Sequence, residues 1–141
     1  MPPLPDIDAL QLGHVTDLPQ LLRAIADIAH NTYYIYLEDP ASDEVVRFLD
    51  IHQDAPAPME VERGTLWPRP KTFHLRASRE NMSELIAFSD RMSAVEVAEH
   101  LLVYDKNRVL IEAYDVGDSY VRVNRALGPD SIKRLLEAVD A

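Results

Sequence analysis

Two pairs of carboxylate and imidazole side chains have the spacing from which helical metal sites are built. Asp27 and His30 are three residues apart, and Glu96 and His100 are four apart. Both spacings place the two side chains on one face of a helix. Each pair supplies two ligands, whereas a metal site in a protein needs three or four. We therefore interpret both as surface polar pairs, with Arg23 in reach of Asp27, and predict no metal ligand and no cofactor.

Motifs for nucleotide binding and for nucleophilic catalysis are missing from the sequence. The glycines at positions 13, 64, 117 and 128 are too scattered for a phosphate-binding loop. The chain has no Gly-x-Ser-x-Gly motif and no cysteine. A catalytic triad assembled only in space stays open. Several serines, however, stand where helices need a cap, namely Ser42, Ser78, Ser83 and Ser93. We predict no catalytic residue, and an enzyme is the less favoured class.

Negative charge is concentrated in the first half of the chain. Residues 1–62 contain twelve acidic and two basic side chains, whereas the rest is balanced and the total is −10. Such a charge distribution attracts cationic partners and repels nucleic acid and anionic lipid. Glu38, Asp39, Asp43 and Glu44 form the densest acidic cluster, which lacks the ligand spacing and the central glycine of a calcium-binding loop. The cluster is either a solvated helix start or a docking surface for a basic protein.

A basic segment with interleaved aromatic residues follows at residues 63–79. Trp67 and Phe73 lie among its arginines, which is a pattern that can grip single-stranded nucleic acid. The acidity of the whole chain opposes phosphate binding, so we predict no nucleic-acid partner. We expect the segment to face the acidic half, in the same chain or in a second copy. Trp67 and Arg69 are candidate anchors for a protein partner, because these residue types are enriched at binding hot spots.

Tyrosines form the last group of candidate functional residues. Tyr34 and Tyr36 alternate with Ile35 and share one face of a predicted strand, and Tyr120 and Arg122 share one face of another. If no helix covers these faces, the four side chains and His74 would line a ligand-binding surface. The alternative is ordinary sheet packing with the hydroxyl groups at the wet edge.

Local signals predict an order of helices and strands for the whole chain. Residues 1–15 are expected to be an extended arm, and residues 54–70 a proline-rich surface loop. Helices are expected to begin after Asp17, Ser42 and Ser93, at either Ser78 or Asn81, and at Pro129. Strands are expected over residues 33–37 and 71–77, and in a meander with strands at 101–104, 108–116 and 119–124. Residues 59–66, between the proline-rich stretches, are compatible with a short edge strand.

These elements predict one α+β domain spanning residues 1–141. The sheet should contain about four to six strands, mostly antiparallel and including the C-terminal three-strand meander, with helices packed on one face. No signal peptide or membrane-spanning stretch is visible, so we expect a cytoplasmic protein without a membrane partner.

The favoured function is a non-enzymatic interaction or regulatory module. Its acidic half would dock a basic protein partner, as a small inhibitor or immunity-like protein does. The alternative is a small-ligand-binding domain or an enzyme that uses the tyrosine, histidine and arginine side chains of the sheet. Self-association is compatible with both, because the acidic half and the basic segment are complementary and could pair in a homodimer.

Overall fold

The computed structural model describes residues 8–30, 32–54, 71–106, 108–116 and 120–139. In chain order the helices are α1 (Leu18–Ile28), α2 (Asp43–His52), α3 (Arg79–Arg91), α4 (Ala94–Val97) and α5 (Pro129–Leu136). The strands are β1 (Ala9–His14), β2 (Tyr33–Glu38), β3 (Thr72–Arg76), β4 (His100–Asp105), β5 (Arg108–Ala113) and β6 (Tyr120–Asn124). A short 3₁₀ helix, Arg125–Leu127, leads into α5.

The described strands form one six-stranded sheet in the order β1-β6-β5-β4-β2-β3. Every neighbouring pair is antiparallel. Strands β4, β5 and β6 are consecutive both in the chain and in the sheet, which confirms the predicted meander. The α+β class, the antiparallel sheet and the number of strands are likewise confirmed.

Side-chain caps begin the helices at the predicted residues. The Asp17 carboxylate accepts a hydrogen bond from the backbone N–H of Gln20 and starts α1. The hydroxyl groups of Ser42 and Ser78 accept in the same way at the starts of α2 and α3. Ser93 and Glu96 form the capping box of α4. These bonds satisfy backbone donors that the first turn of a helix leaves unpaired.

The main core lies between the helices and one face of the sheet. On β2 this face presents Tyr33, Ile35 and Leu37, since side chains alternate along a strand. Apolar side chains of all five helices pack into the same core, and a second, smaller cluster around Tyr36, Leu102 and Tyr104 lies on the other face. Among the described residues, the helices therefore cover one face of the sheet.

The N-terminal arm and the proline-rich loop were both predicted to lack regular structure. The last part of the predicted N-terminal arm is strand β1, which pairs with β6 at the edge of the sheet. The proline-rich loop, the suggested strand between residues 59 and 66, and the candidate anchors Trp67 and Arg69 lie outside the described residues. None of the described helices combines the length and the apolar character that crossing a membrane requires.

Candidate functional site

The sheet brings three of the predicted ligand-binding residues together on the face opposite the main core. In the pairing of β2 with β3, Tyr36 lies directly opposite His74, and Tyr34 lies opposite Arg76. Directly opposite residues of an antiparallel pair point to the same face. We call this face, which also bears Tyr104 of β4, the tyrosine face.

Hydrogen bonds within the tyrosine face join these side chains to one another. The His74 Nδ1 atom lies 2.7 Å from the Tyr104 hydroxyl, and the Tyr36 hydroxyl donates to Glu38 at 2.9 Å. Tyr36 and Tyr104 are each 1% exposed and His74 is 6% exposed. Burial lowers the pKa of His74, against a weaker raising effect of Asp54, and burial raises the pKa of Tyr104. Both shifts favour the uncharged side chain, that is, a neutral imidazole and a protonated phenol. This is the behaviour expected of buried groups with a structural role.

The other two predicted ligand-binding residues lie at a distance on the same sheet. Tyr120 and Arg122 are on β6, which is three strands from β2 and hence about 14 Å away. Arg122 donates to the fully buried carboxylate of Glu112 at 2.9 Å. The Tyr120 ring stacks on His14, with 4.0 Å between ring centroids. The five predicted residues thus fall into two groups rather than one pocket.

The acidic cluster of the sequence does not form one exposed surface. Glu38 is 1% exposed, which corrects its assignment to a docking surface, because alternation along β2 turns it onto the tyrosine face. Asp39 adopts a positive φ of 50° and its carboxylate accepts from the backbone N–H of Lys71. Glu44 pairs with Arg91, whose hydrogen bond lowers the pKa of that carboxyl. Asp43 is exposed, like Glu44, but makes no ion pair with a described residue.

The carboxylate–imidazole pairs also have other partners. Asp27 accepts from Arg134 at 2.8 Å, and Glu96 belongs to the capping box of α4. His100 lies with Glu99 and Asp115 in a group whose ligand atoms are all within 4.8 Å of one another. The backbone N–H of Asp115, however, donates to His100 Nδ1 at 2.8 Å. This bond places the proton of the neutral ring on Nε2, so neither nitrogen offers a free lone pair to a metal.

A shallow groove between α2 and α3 was not predicted from the sequence. Its volume is about 530 Å³, and its walls are Phe48, His52, Glu80, Asn81, Ser83 and Glu84. Two spacings in the sequence could have pointed to it, since Phe48 and His52, and Glu80 and Glu84, are each four residues apart and share a helical face. The packing of the two helices, visible in the edge-to-face contact of Phe48 with Phe88, joins the two pairs.

Negative charge on these two helices is only partly neutralised. Arg91 of α3 pairs with Glu44 of α2, and Arg23 of α1 pairs with Asp90 of α3. Four further carboxylates are exposed and make no ion pair with any described residue: Asp43, Asp50, Glu80 and Glu84. The only bases on α2 and α3 besides Arg91 are Arg47 and Arg79. The surface of the helix pair is therefore net negative.

Comparison with known proteins finds no matching family model, no similar curated protein and no similar solved structure.

Proposed function

We propose that this protein is a non-enzymatic interaction module that docks a basic protein partner through helices α2 and α3. One observation supports the proposal above the others. The two helices present four exposed carboxylates without ion-pair partners among the described residues, and two of these carboxylates flank a groove. Some acids elsewhere in the chain are paired, as Asp27 and Glu112 are with arginines. A role as an inhibitor or an immunity-like protein fits this surface.

The alternative, a ligand-binding or enzymatic tyrosine face, has less support. Tyr36, His74 and Tyr104 are nearly inaccessible, and their polar atoms bond to neighbouring side chains. A ligand would have to break these bonds, and each buried group left without a partner costs about 1–3 kcal/mol. The four exposed carboxylates of α2 and α3 that lack an ion-pair partner among the described residues have no such bonds to lose.

Electrostatic docking has a measurable signature. Opposite charges on two protein surfaces speed association and give a complex whose affinity falls as salt screens the charges. A basic partner should therefore dissociate from the protein when the salt concentration is raised. A partner held by apolar contacts would remain bound.

The test uses the complex that forms in the host of this protein. The chain is purified at low salt, the bound partner is identified by native mass spectrometry, and its dissociation constant is measured for two charge variants. Asp43→Lys with Asp50→Lys alters α2. Asp130→Lys with Glu137→Lys alters α5 and changes the net charge by the same amount. Each pair combines an acid of a first helical turn with an acid near the helix end, so both have similar effects on the helix dipole.

We expect the α2 variant to bind the basic partner at least about tenfold more weakly at low salt, and the α5 variant to bind normally. Equal weakening by both variants would mean that net charge alone acts, and would reject α2 as the docking surface. A complex that resists salt, or a doubled mass showing only a second copy of the chain, would overturn the proposal of a basic partner.

A further inference from the structure

We infer that His100 is a pH-sensitive switch, whose neutral imidazole holds the backbone of Asp115 and whose protonated imidazole releases it. The inference is independent of the proposed function, because it uses none of the carboxylates of α2 and α3. It depends on the hydrogen bonds that fix the turn after β5, and on which of these bonds requires a neutral ring.

Two consecutive backbone N–H groups fix the turn that follows β5. The register of paired residues between β4 and β5 stops short of this turn. Beyond it, the Val116 N–H donates to the carbonyl oxygen of Glu99 at 2.9 Å, and the Asp115 N–H donates to His100 Nδ1 at 2.8 Å. The carbonyl oxygen accepts at any pH. The imidazole nitrogen accepts only while it carries no proton.

Protonation reverses the role of the His100 Nδ1 atom. Both nitrogens of a protonated imidazole are donors, so Nδ1 would then present a proton to the Asp115 N–H and their bond would be lost. A new acceptor lies close, since the Asp115 Oδ1 atom is 3.9 Å from the same nitrogen. The Glu99 carboxylate belongs to the same group, whose ligand atoms are all within 4.8 Å of one another. Protonation therefore exchanges a backbone donor for a carboxylate acceptor.

The titratable groups that surround the His100 ring among the described residues are three carboxylates and a phenol. Glu99 precedes β4, Asp115 follows β5, and Glu38 lies directly opposite His100 in the pairing of β2 with β4. The Tyr114 ring makes an edge contact with the imidazole, with 5.5 Å between ring centroids. The imidazole is 13% exposed, so solvent protons reach it and nearby charges are screened less than at the open surface. The carboxylates attract the positive charge of the protonated ring.

The backbone conformation of Asp115 makes it the element that responds. Its φ is 47°, in the left-handed region that residues other than glycine adopt uncommonly, although aspartate does so more often than most. Its side chain is exposed, whereas the next residue, Val116, is buried in the main core. The bond of the Val116 N–H does not depend on pH. Release from His100 therefore frees the Asp115 peptide to move while Val116 stays anchored.

Two other histidines show why His100 is singled out. The His74 Nδ1 atom faces the Tyr104 hydroxyl, which can donate or accept, so that bond can persist in either protonation state. The His52 Nδ1 atom faces the carbonyl oxygen of Phe48 and donates to it in both states. Of these three histidines, only His100 accepts from a backbone N–H, and only its bond must break on protonation.

The test follows the ring and the backbone separately by NMR on the whole ¹⁵N-labelled chain, between about pH 8 and pH 5, where histidines change charge. Ring nitrogen shifts report protonation of His100, and hydrogen exchange reports the protection factor of the Asp115 amide. We expect this factor to fall about fivefold to tenfold as the ring is protonated, because one hydrogen bond is lost. The amides of Val116 and of Val103 in β4 should remain protected.

Variants separate the two halves of the exchange. His100→Asn supplies an amide oxygen as acceptor without a titrating group, so the Asp115 amide should keep one protection factor across the range. Asp115→Asn keeps the backbone donor but removes the receiving carboxylate, and we expect its transition to move to lower pH. His30→Gln is the matched control. It removes an imidazole that contacts Tyr33, at the far end of β2 from Glu38, and should leave the transition unchanged.

Circular dichroism at both ends of the pH range shows whether each variant keeps its fold. A His100 ring that stays neutral down to about pH 5, or an Asp115 amide whose protection ignores the charge of the ring, would overturn the inference. A parallel loss of protection at Val103 would also overturn it, because the sheet would then be opening as a whole. If His100→Asn does not fold, Asp115→Asn decides the question, since an unchanged transition would reject the exchange of acceptors.

Discussion

The imidazole of His74 and the hydroxyl of Tyr104 share a buried hydrogen bond of 2.7 Å across strands that are not adjacent in the sheet. Strand β2 lies between β3 and β4, with Tyr36 opposite His74 and Tyr34 opposite Tyr104. The bond therefore crosses β2 at these two tyrosines. Tyr34 and Tyr104 stack, with 5.4 Å between ring centroids. The pair therefore ties three strands together on the tyrosine face.

This pair predicts a loss of stability on acidification. Burial lowers the pKa of His74 below its ordinary value of 6.5 in the folded protein. Below that pH, the unfolded chain binds a proton that the folded protein excludes, so the free energy of unfolding falls as the pH falls toward the lowered pKa. Urea denaturation at pH 7.5, 6.5 and 5.5 measures the slope. His74→Asn retains a hydrogen-bonding group that can face Tyr104 and should flatten the slope, and an unchanged slope would contradict the assignment.

The buried ion pair of Glu112 and Arg122 predicts that replacing Arg122 alone will destabilise the protein much more than replacing both residues. Glu112 is fully buried, so Arg122→Met leaves a carboxylate without its cation and should cost about 3–5 kcal/mol. Replacing both residues, as Arg122→Met with Glu112→Leu, should recover most of that loss. Arg23→Met breaks the exposed pair with Asp90 and should cost under about 1 kcal/mol.

Denaturation with guanidinium chloride measures all of these variants under one condition. If Arg122→Met and Arg23→Met had the same effect, the Glu112 carboxylate would not need its cation, and the assignment of a buried pair would be wrong.

The backbone conformation of Gly128 predicts that replacing this residue will lower the free energy of unfolding. Its φ is 88° and its ψ is 161°, a region that glycine alone adopts readily, and it precedes the first turn of α5. A β-carbon built at this position meets nothing within 4 Å. Gly128→Ala should therefore destabilise the protein by about 1–3 kcal/mol without any steric clash. Gly128→Asn should not recover the loss, because asparagine tolerates the left-handed helical region and not this one. Thermal unfolding of both variants beside the parent chain provides the measurement.

The hydrogen bond made by His100 predicts that transition metals will not stabilise the protein by binding at His100, Glu99 and Asp115. The bond from the Asp115 backbone N–H occupies the Nδ1 lone pair and leaves the proton on Nε2. A ligand that binds only the folded state raises the melting temperature. We expect Zn²⁺ in tenfold excess to change the melting temperature by less than about 1 °C. A rise that His100→Ala abolishes would show that the ring exchanges this bond for a metal.

Local sequence signals were sufficient for most of the elements. The caps at Ser42 and Ser78, the alternation from Tyr33 to Leu37 and the turns of the meander act over a few residues, and each element forms where these signals predict it. Strand β1 was missed because its partner, β6, is about 110 residues later in the chain. A short segment with a weak strand pattern becomes a strand only when a sheet edge is available to pair with it.

The candidate site was less accessible to prediction. The sequence determined that Tyr34, Tyr36 and Glu38 share one face of a strand, since side chains alternate along an extended backbone. It could not show that the face would bury Glu38, nor that Tyr104 would join His74. It likewise displayed the two pairs that line the groove without showing that the fold would bring side chains of α2 and α3 into contact.

Charge shows most clearly what the sequence determined and what the tertiary structure decided. Composition alone sets the net charge of −10, and the order of residues concentrates it in the first 62. Folding then pairs acids of that half with bases of the other, in Asp27–Arg134, Glu44–Arg91 and Asp54–Arg76. Net charge is a sum over residues, whereas an exposed charge without a partner depends on which side chains the fold brings within about 4 Å.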